Sequence, residues 1–189
     1  MSSQQPPVHA ATLLKEAGLH AKKSWGQNFL CSESVLSTIA EGVAASPGDW
    51  VLELGPGLGA LTYYLLERQF RVVAVERDRD MIQQLSQRFA NESHLTLIAG
   101  NAATLDYTEL SHTLGSSIWV AGNLPYHLSG RILVDVAQHA AVVRGAVFLI
   151  QREVADRLLA SPHSKTYGLL SVLIQRVFRG KMHLHVKPE

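Results

Sequence analysis

Apolar residues fall along this chain in two alternating patterns. Short, nearly continuous apolar runs at 50–54 (WVLEL), 71–76 (RVVAVE), 95–100 (LTLIAG), 117–122 (SIWVAG) and 145–151 (GAVFLIQ) have the length and branched-residue content of buried strands. Between them, 58–69, 79–90, 129–140 and 152–160 carry apolar residues at helical spacing. Upstream, 32–45 reads as a helix with a serine cap, broken afterwards by Pro47 and Gly48. Residues 10–17 read as a short helix ended by Gly18, and 20–30 as irregular. Downstream, 169–178 is a long apolar stretch, and 181–186 (KMHLHV) alternates like a final strand. Strand–helix repetition of this kind predicts a parallel sheet covered by helices on both faces.

Composition narrows the class. Hydrophobic residues make up 47% of the 189 positions and charged residues 17%, enough for a sizeable core and too apolar for a disordered chain. The net charge of +1 excludes a strongly basic, tail-type nucleic-acid binder, although a local patch remains compatible with it. A single cysteine, Cys31, excludes a disulfide framework and a cysteine-based zinc cluster. The nine histidines are scattered; His183 and His185 form one close pair without a third ligand nearby, so no metal is expected. No apolar run approaches the roughly 20 residues of a membrane span, and the first 15 residues lack a secretory pattern. A cytoplasmic location without membrane attachment is the expectation.

The sharpest motif is Glu53-Leu54-Gly55-Pro56-Gly57-Leu58-Gly59, between the first strand and its helix. Glycines there permit tight turning and close approach of a ligand at the carboxyl end of the strand. Glu76 closes the next strand, where a carboxylate can accept hydrogen bonds from both hydroxyls of a cofactor ribose. The spacing is G-x-G-x-G and lacks the third-glycine spacing of the dinucleotide fingerprint; it resembles the first motif of class I S-adenosylmethionine-dependent methyltransferases. Pro56 and the lack of Gly-Lys-Ser/Thr disfavour a P-loop.

The fourth strand runs into Gly122-Asn123-Leu124-Pro125-Tyr126. This rigid turn combines polar acceptors with an aromatic ring, which suits methylation of an exocyclic amine. The amino nitrogen of adenine is a poor nucleophile because its lone pair is delocalised into the ring. Acceptors such as the Asn123 side-chain oxygen and the carbonyl of Leu124 or Pro125 can make it more tetrahedral and aim the lone pair, without a strong base. Tyr126 can stack on the base. The plain alternative is a structural turn with Tyr126 packed in the core.

Taken together, the segments K-K-S-W-G-Q-N-F-L (22–30), V-L-E-L-G-P-G-L-G-A-L-T (51–62), V-E-R-D (75–78), G-N-L-P-Y (122–126), Q-R-E-V-A-D-R-L (151–158) and S-K-T-Y-G-L-L-S-V (164–172) resemble the ribosomal RNA adenine N6-dimethyltransferase family, its 16S branch more than its 23S resistance branch. The resemblance implies an α/β, Rossmann-like class I methyltransferase fold with a mostly parallel, seven-stranded sheet flanked by helices. It implies S-adenosylmethionine as cofactor and the N6,N6-dimethylation of two adjacent adenosines near the 3′ end of 16S rRNA, on the immature small subunit, by a monomer. Asn28, Leu30, Gly55, Gly57, Glu76, Asn101 and Asn123 would then line the cofactor site. Asn123, Leu124, Pro125 and Tyr126 would form the catalytic turn, and Lys22 and Lys23 could meet RNA phosphates.

The resemblance also implies an organisation and two departures. Residues 1–31 would be an N-terminal cofactor- and RNA-contacting segment and 32–189 the catalytic domain. The F-x-P-x-P segment and helical RNA-binding domain of the family are not in this sequence, so the chain is expected to bind cofactor but to methylate rRNA poorly. The family usually has an acidic residue after the third strand to read the cofactor's adenine amine; here Asn101 offers a neutral, weaker acceptor. The usual N-L-P-Y-N-I-S continues as His127-Leu128-Ser129. The competing readings are a DNA adenine methyltransferase, a non-catalytic ribosome-assembly binding module and, more distantly, an NAD-dependent oxidoreductase.

Overall fold

The structure, a computed structural model, describes residues 32–186. Helix α1 (Glu33–Gly42) leads into β1 (Trp50–Leu54), α2 (Ala60–Glu67), β2 (Arg71–Glu76), α3 (Arg79–Arg88) and β3 (Leu95–Ala99). A short 3-10 turn (Ala102–Thr104) and α4 (Tyr107–Leu114) precede β4 (Ile118–Asn123), α5 (Ser129–Gln138), β5 (Val143–Leu149), α6 (Arg152–Leu158) and α7 (Leu169–Gln175). The strands pair in parallel in the order β3-β2-β1-β4-β5. Because all five are parallel, their carboxyl ends share one edge of the sheet. The reversal of strand order between β1 and β4 opens that edge for a ligand.

Burial on both sheet faces explains the continuous apolar strands. Val51, Val72 and Ala74 face one core with Leu36 and Ile39 of α1, Leu61 and Leu65 of α2, and Leu85 of α3. Their chain neighbours Leu52, Val73 and Val75 face a second core with Leu110 of α4 and Ile132 and Val136 of α5. Alternation by two residues therefore feeds both layers without exposing either.

The structure corrects the expected strand count, the expected strand at 181–186 and the expected serine cap. Among the described residues the sheet has five strands, against the seven expected. The apolar stretch from 169 begins as helix α7, with Ser171 and Ile174 buried. Residues 181–186 form no strand despite their alternation. A strand exists only where a neighbour takes its backbone hydrogen bonds, and among the described residues β5 ends the sheet, while residues 144–150 and 181–186 both line a cleft of about 630 Å³. Leu184 and Val186 still pack against the first core. Ser32 occupies the N-cap of α1, but its hydroxyl meets Ser34 Oγ (3.1 Å) and caps no amide. The helix expected at 10–17 lies outside the described residues.

Tyr107, at the start of α4, is fully buried and its hydroxyl has no hydrogen-bond partner. A buried unsatisfied hydroxyl costs about 1–3 kcal/mol relative to a bonded one. Tyr107→Phe removes that group while keeping the ring's packing. Urea unfolding is expected to show unchanged stability or a gain of about 1 kcal/mol; a loss of that size would contradict the reading.

Candidate active site

Four strand ends deliver the site. At the end of β1, Gly55, Gly57 and Gly59 all hold left-handed backbone (φ +68°, +58° and +79°), a conformation that residues with a Cβ seldom adopt. The loop is tied down at both sides. The Gly55 N–H donates to Val75 O (3.0 Å), the Gly59 N–H to Pro56 O (2.9 Å), and the Arg88 guanidinium of α3 to Leu58 O (2.8 Å). Gly59 is also a packing site, because a Cβ there would meet the Phe89 ring at 2.5 Å.

Glu76 ends β2 beneath this loop and is 7% exposed. Its Oε2 accepts the Gly57 N–H (3.1 Å), and its Oε1 accepts the Arg77 and Asp78 N–H groups (2.8 and 2.9 Å). Three donated amides fix the carboxylate in one orientation, and Oε2, which takes only one of them, keeps acceptor capacity for a further donor. Asp78 caps α3 by accepting the Asp80 N–H. After β3, the Gly100 N–H returns to Glu76 O (2.8 Å), which sets Asn101 beside the same strand end. The Asn101 Oδ1 accepts the Ala103 N–H (3.0 Å), so this oxygen also caps the 3-10 turn.

Asn123 ends β4, in register with Leu149 of β5. The Leu124 N–H donates to Leu149 O (3.1 Å), and the Leu124 side chain is buried in the second core. The Pro125 carbonyl accepts the N–H groups of Leu128 (3.0 Å) and Ser129 (3.1 Å), and the Tyr126 carbonyl accepts the Ser129 hydroxyl (3.1 Å). The turn is therefore held from below while the Tyr126 side projects: that residue is 54% exposed. This excludes the alternative of a core tyrosine. Gly122 sets the spacing to the glycine loop, since a Cβ there would lie 2.7 Å from Leu54 O.

The structure thus brings together Gly55, Gly57, Glu76, Asn101, Asn123, Leu124, Pro125 and Tyr126 at one sheet edge. Asn28 and Leu30, with Lys22 and Lys23, lie outside the described residues. Two contributors escaped sequence reading. Arg88 reaches back thirty residues to the loop, and its one-dimensional signal was only a lone cation beside Phe89 at a helix end. Glu53 was visible as the acid before the glycines, but not its depth: it is 1% exposed and accepts a 2.6 Å hydrogen bond from Thr62 Oγ1. Among the described residues, no group of three or more His, Cys, Asp or Glu could hold a metal ion, and no helix is long and apolar enough to cross a membrane.

A family model described as ribosomal RNA adenine dimethylase matches residues 18–189. The chain belongs to the ribosomal RNA adenine dimethylase family. Among relatives of this family, a protein of Anaeromyxobacter sp. (strain K) named ribosomal RNA small subunit methyltransferase A is 51% identical over 184 residues, covering 93% of this chain and 63% of its own. The Myxococcus xanthus protein of the same name is 46% identical over 162 residues, covering 86% and 56%. The chain therefore spans less than two thirds of the length of these curated relatives. A crystal structure of a dimethyladenosine transferase from Plasmodium falciparum superposes with a TM-score of 0.68 at 25% identity, over 78% of this chain and 52% of that one. The 23S rRNA methyltransferase ErmE superposes at 0.63 and 24% identity, over 70% and 51%, which bears on the fold. The fold is that of the Rossmann-like class I methyltransferases.

Burial pushes the Glu53 carboxyl up from 4.5 to about 8; nearby Glu76 adds to the rise and the Thr62 hydrogen bond opposes it. Between these pH values the folded chain keeps a proton that the unfolded chain releases. Glu53 therefore makes stability fall as pH rises from about 4.5 to about 8, with no further change above. Glu53→Gln removes this dependence. The stability of the variant relative to the parent, measured by denaturant unfolding, is expected to grow between pH 5 and 8 and then level off; a gap independent of pH would refute the assignment.

Proposed function

We propose that this chain carries the catalytic site for S-adenosylmethionine-dependent N6,N6-dimethylation of adenosine in ribosomal RNA, at two adjacent adenosines near the 3′ end of 16S rRNA on the immature small subunit. The observation that carries the reading is the half-exposed Tyr126 beside Asn123, one strand away from the glycine loop and its fixed Glu76. The residues fit the cofactor. The loop leaves open space at Gly55, where a Cβ would meet nothing within 4 Å, and Glu76 presents a fixed carboxylate to a ribose. Bound there, the cofactor supplies an electrophilic methyl group on a sulfonium.

The chain's own residues do the rest by positioning. Tyr126 stacks on an unstacked adenine. Asn123 accepts one N–H of the target amine through its side-chain oxygen. The Pro125 carbonyl already serves two amides of the α5 turn, which favours the Leu124 carbonyl as the second acceptor. Two acceptors localise the nitrogen lone pair in the first transfer and one acts on the single remaining N–H in the second, and the proton displaced by each new N–C bond passes to water once the product is cationic and acidic. No buried base is needed. Asn101, Asn28 and Leu30 complete the cofactor site in this reading.

Two tests follow. Asn101→Asp keeps the cap on Ala103 and adds charge to the acceptor, so calorimetry is expected to show S-adenosylmethionine binding several-fold tighter than in the parent. No binding by either chain would count against the reading. In single-turnover methyl transfer to a hairpin RNA with adjacent adenosines, Asn123→Ala is expected to lose about 100-fold or more in rate. Tyr126→Ala is expected to fall sharply and Tyr126→Phe to keep most of the rate, with cofactor affinity little changed in both. Equal transfer to the matching DNA would favour a DNA adenine methyltransferase instead.

A further inference from the structure

The net charge of +1 conceals a division along the chain. Residues 32–151 hold seven Arg, no Lys and twelve acidic residues. Residues 152–186 hold six Lys or Arg against two acids, Glu153 and Asp156. Of those six, Arg152 pairs with Asp156 within its own helix (3.6 Å). Arg157, Lys165, Arg176, Arg179 and Lys181 are exposed and form no ion pair with a described carboxylate.

Packing gathers four of these cations. The Ser171 hydroxyl of α7 donates to the Arg157 carbonyl of α6, and Gln175 Nε2 donates to Leu158 O and Ala160 O (2.9 Å each). Gly180 lies so close to this joint that a Cβ would meet Leu159 Cδ2 at 2.7 Å and Leu158 Cδ2 at 2.9 Å. Arg157, Arg176, Arg179 and Lys181 therefore surround one packed joint, each within a residue or two of these contacts. Four exposed cations held around one joint, with Glu153 and Asp156 the two acids of this segment, repel one another, and a polyanion relieves that repulsion.

The lobe also starts at the candidate site. Leu149 of β5 binds the Leu124 N–H, and Arg152 opens α6 three residues later, with its guanidinium 3.5 Å from His185 Nε2. The seven residues of α6 that join this point to Arg157 span about 10 Å. At about 3.4 Å of rise per phosphate along a strand, that matches roughly three phosphates.

We infer that α6, α7 and residues 176–181 form the docking surface for the RNA phosphates that flank the base presented to Tyr126. This rests on the proposed rRNA reading and names the part of the chain that grips the substrate. An acidic protein partner is the competing occupant, and direct RNA binding decides between them.

The test measures the dissociation constant of the unmodified 189-residue chain for a short hairpin RNA with two adjacent adenosines, across a salt series. The comparison is a variant with Arg157→Gln, Arg176→Gln, Arg179→Gln and Lys181→Gln. The variant is expected to bind at least ten-fold more weakly at 0.1 M salt. Its slope of log affinity against log salt is expected to be shallower by about 2–3, since each lost phosphate contact removes about 0.7–0.9. Arg68→Gln with Arg71→Gln, at the opposite sheet edge, is expected to leave the slope unchanged. Thermal unfolding and S-adenosylmethionine binding, compared between variant and parent, check that the lobe is still folded; Arg179→Gln alone, with a slope change near 1, serves if the quadruple variant unfolds. An unchanged slope in a folded variant, or a parent that does not bind the hairpin even at low salt, overturns the inference. Methyl transfer is read separately: a parent that binds the hairpin through the lobe yet transfers no methyl group sinks the catalytic proposal and leaves the docking surface standing.

Discussion

Much of this chain's organisation hangs on how one buried carboxylate is held. Glu76 takes amide donors from Gly57, Arg77 and Asp78, so a single side chain joins the glycine loop after β1 to the end of β2 and the start of α3. Charge-assisted bonds of this kind are stronger than neutral ones, and burial makes them hard to replace by water. The left-handed glycines alone would leave a loop with many accessible shapes. Tied to Glu76 from one side and to Arg88 from another, the loop has one shape. A ligand then meets a surface whose ordering cost has already been met by folding.

The second constraint is electrostatic and concerns the acid that is not at the surface. Glu53 lies deeper on β1, desolvated and bonded to Thr62. Two carboxyls stand close together under the loop. Burial holds the deeper one protonated well above the usual carboxylate range, while Glu76 accepts three amide N–H groups. Division of labour between neighbouring acids by environment is a common way to place a single charge where a polar ligand needs it.

Much of this was legible in one dimension, for physical reasons that can be named. Parallel strands buried on both faces must be continuously apolar, so residues 50–54 and 71–76 announced themselves. Ligand-binding turns sit at strand ends, so the glycine motif, Glu76 and Asn123 to Tyr126 could be placed on one edge before any coordinates. What failed to show was non-local. Whether 181–186 becomes a strand depends on a neighbour to pair with, and alternation alone carries no record of one. Helix and strand are hard to separate in a solid apolar run such as 169–178, where α7 is joined to α6 by Ser171 bonding to the Arg157 carbonyl and Gln175 to the Leu158 carbonyl. The gathering of cations around Gly180 was equally invisible, because residues 157, 176, 179 and 181 are brought together only by contacts between separate elements. The roles drawn for Asn28 and Leu30 rest on resemblance alone.

Gly122 gives the site an unusual relation to sequence drift. Its missing side chain lets the end of β4 lie against the Leu54 carbonyl. A Cβ there, 2.7 Å from the Leu54 carbonyl oxygen, forces the end of β4 and the end of β1 apart, even though residue 122 itself need touch neither ligand. Conservative chemistry offers no compensation at such a position, since even alanine is too large. The most exposed member of the turn, Tyr126, can by contrast be exchanged for another flat ring without moving its neighbours. Tolerance of substitution along this turn therefore runs opposite to chemical conspicuousness: the residue with no functional group is the one with no room for a side chain.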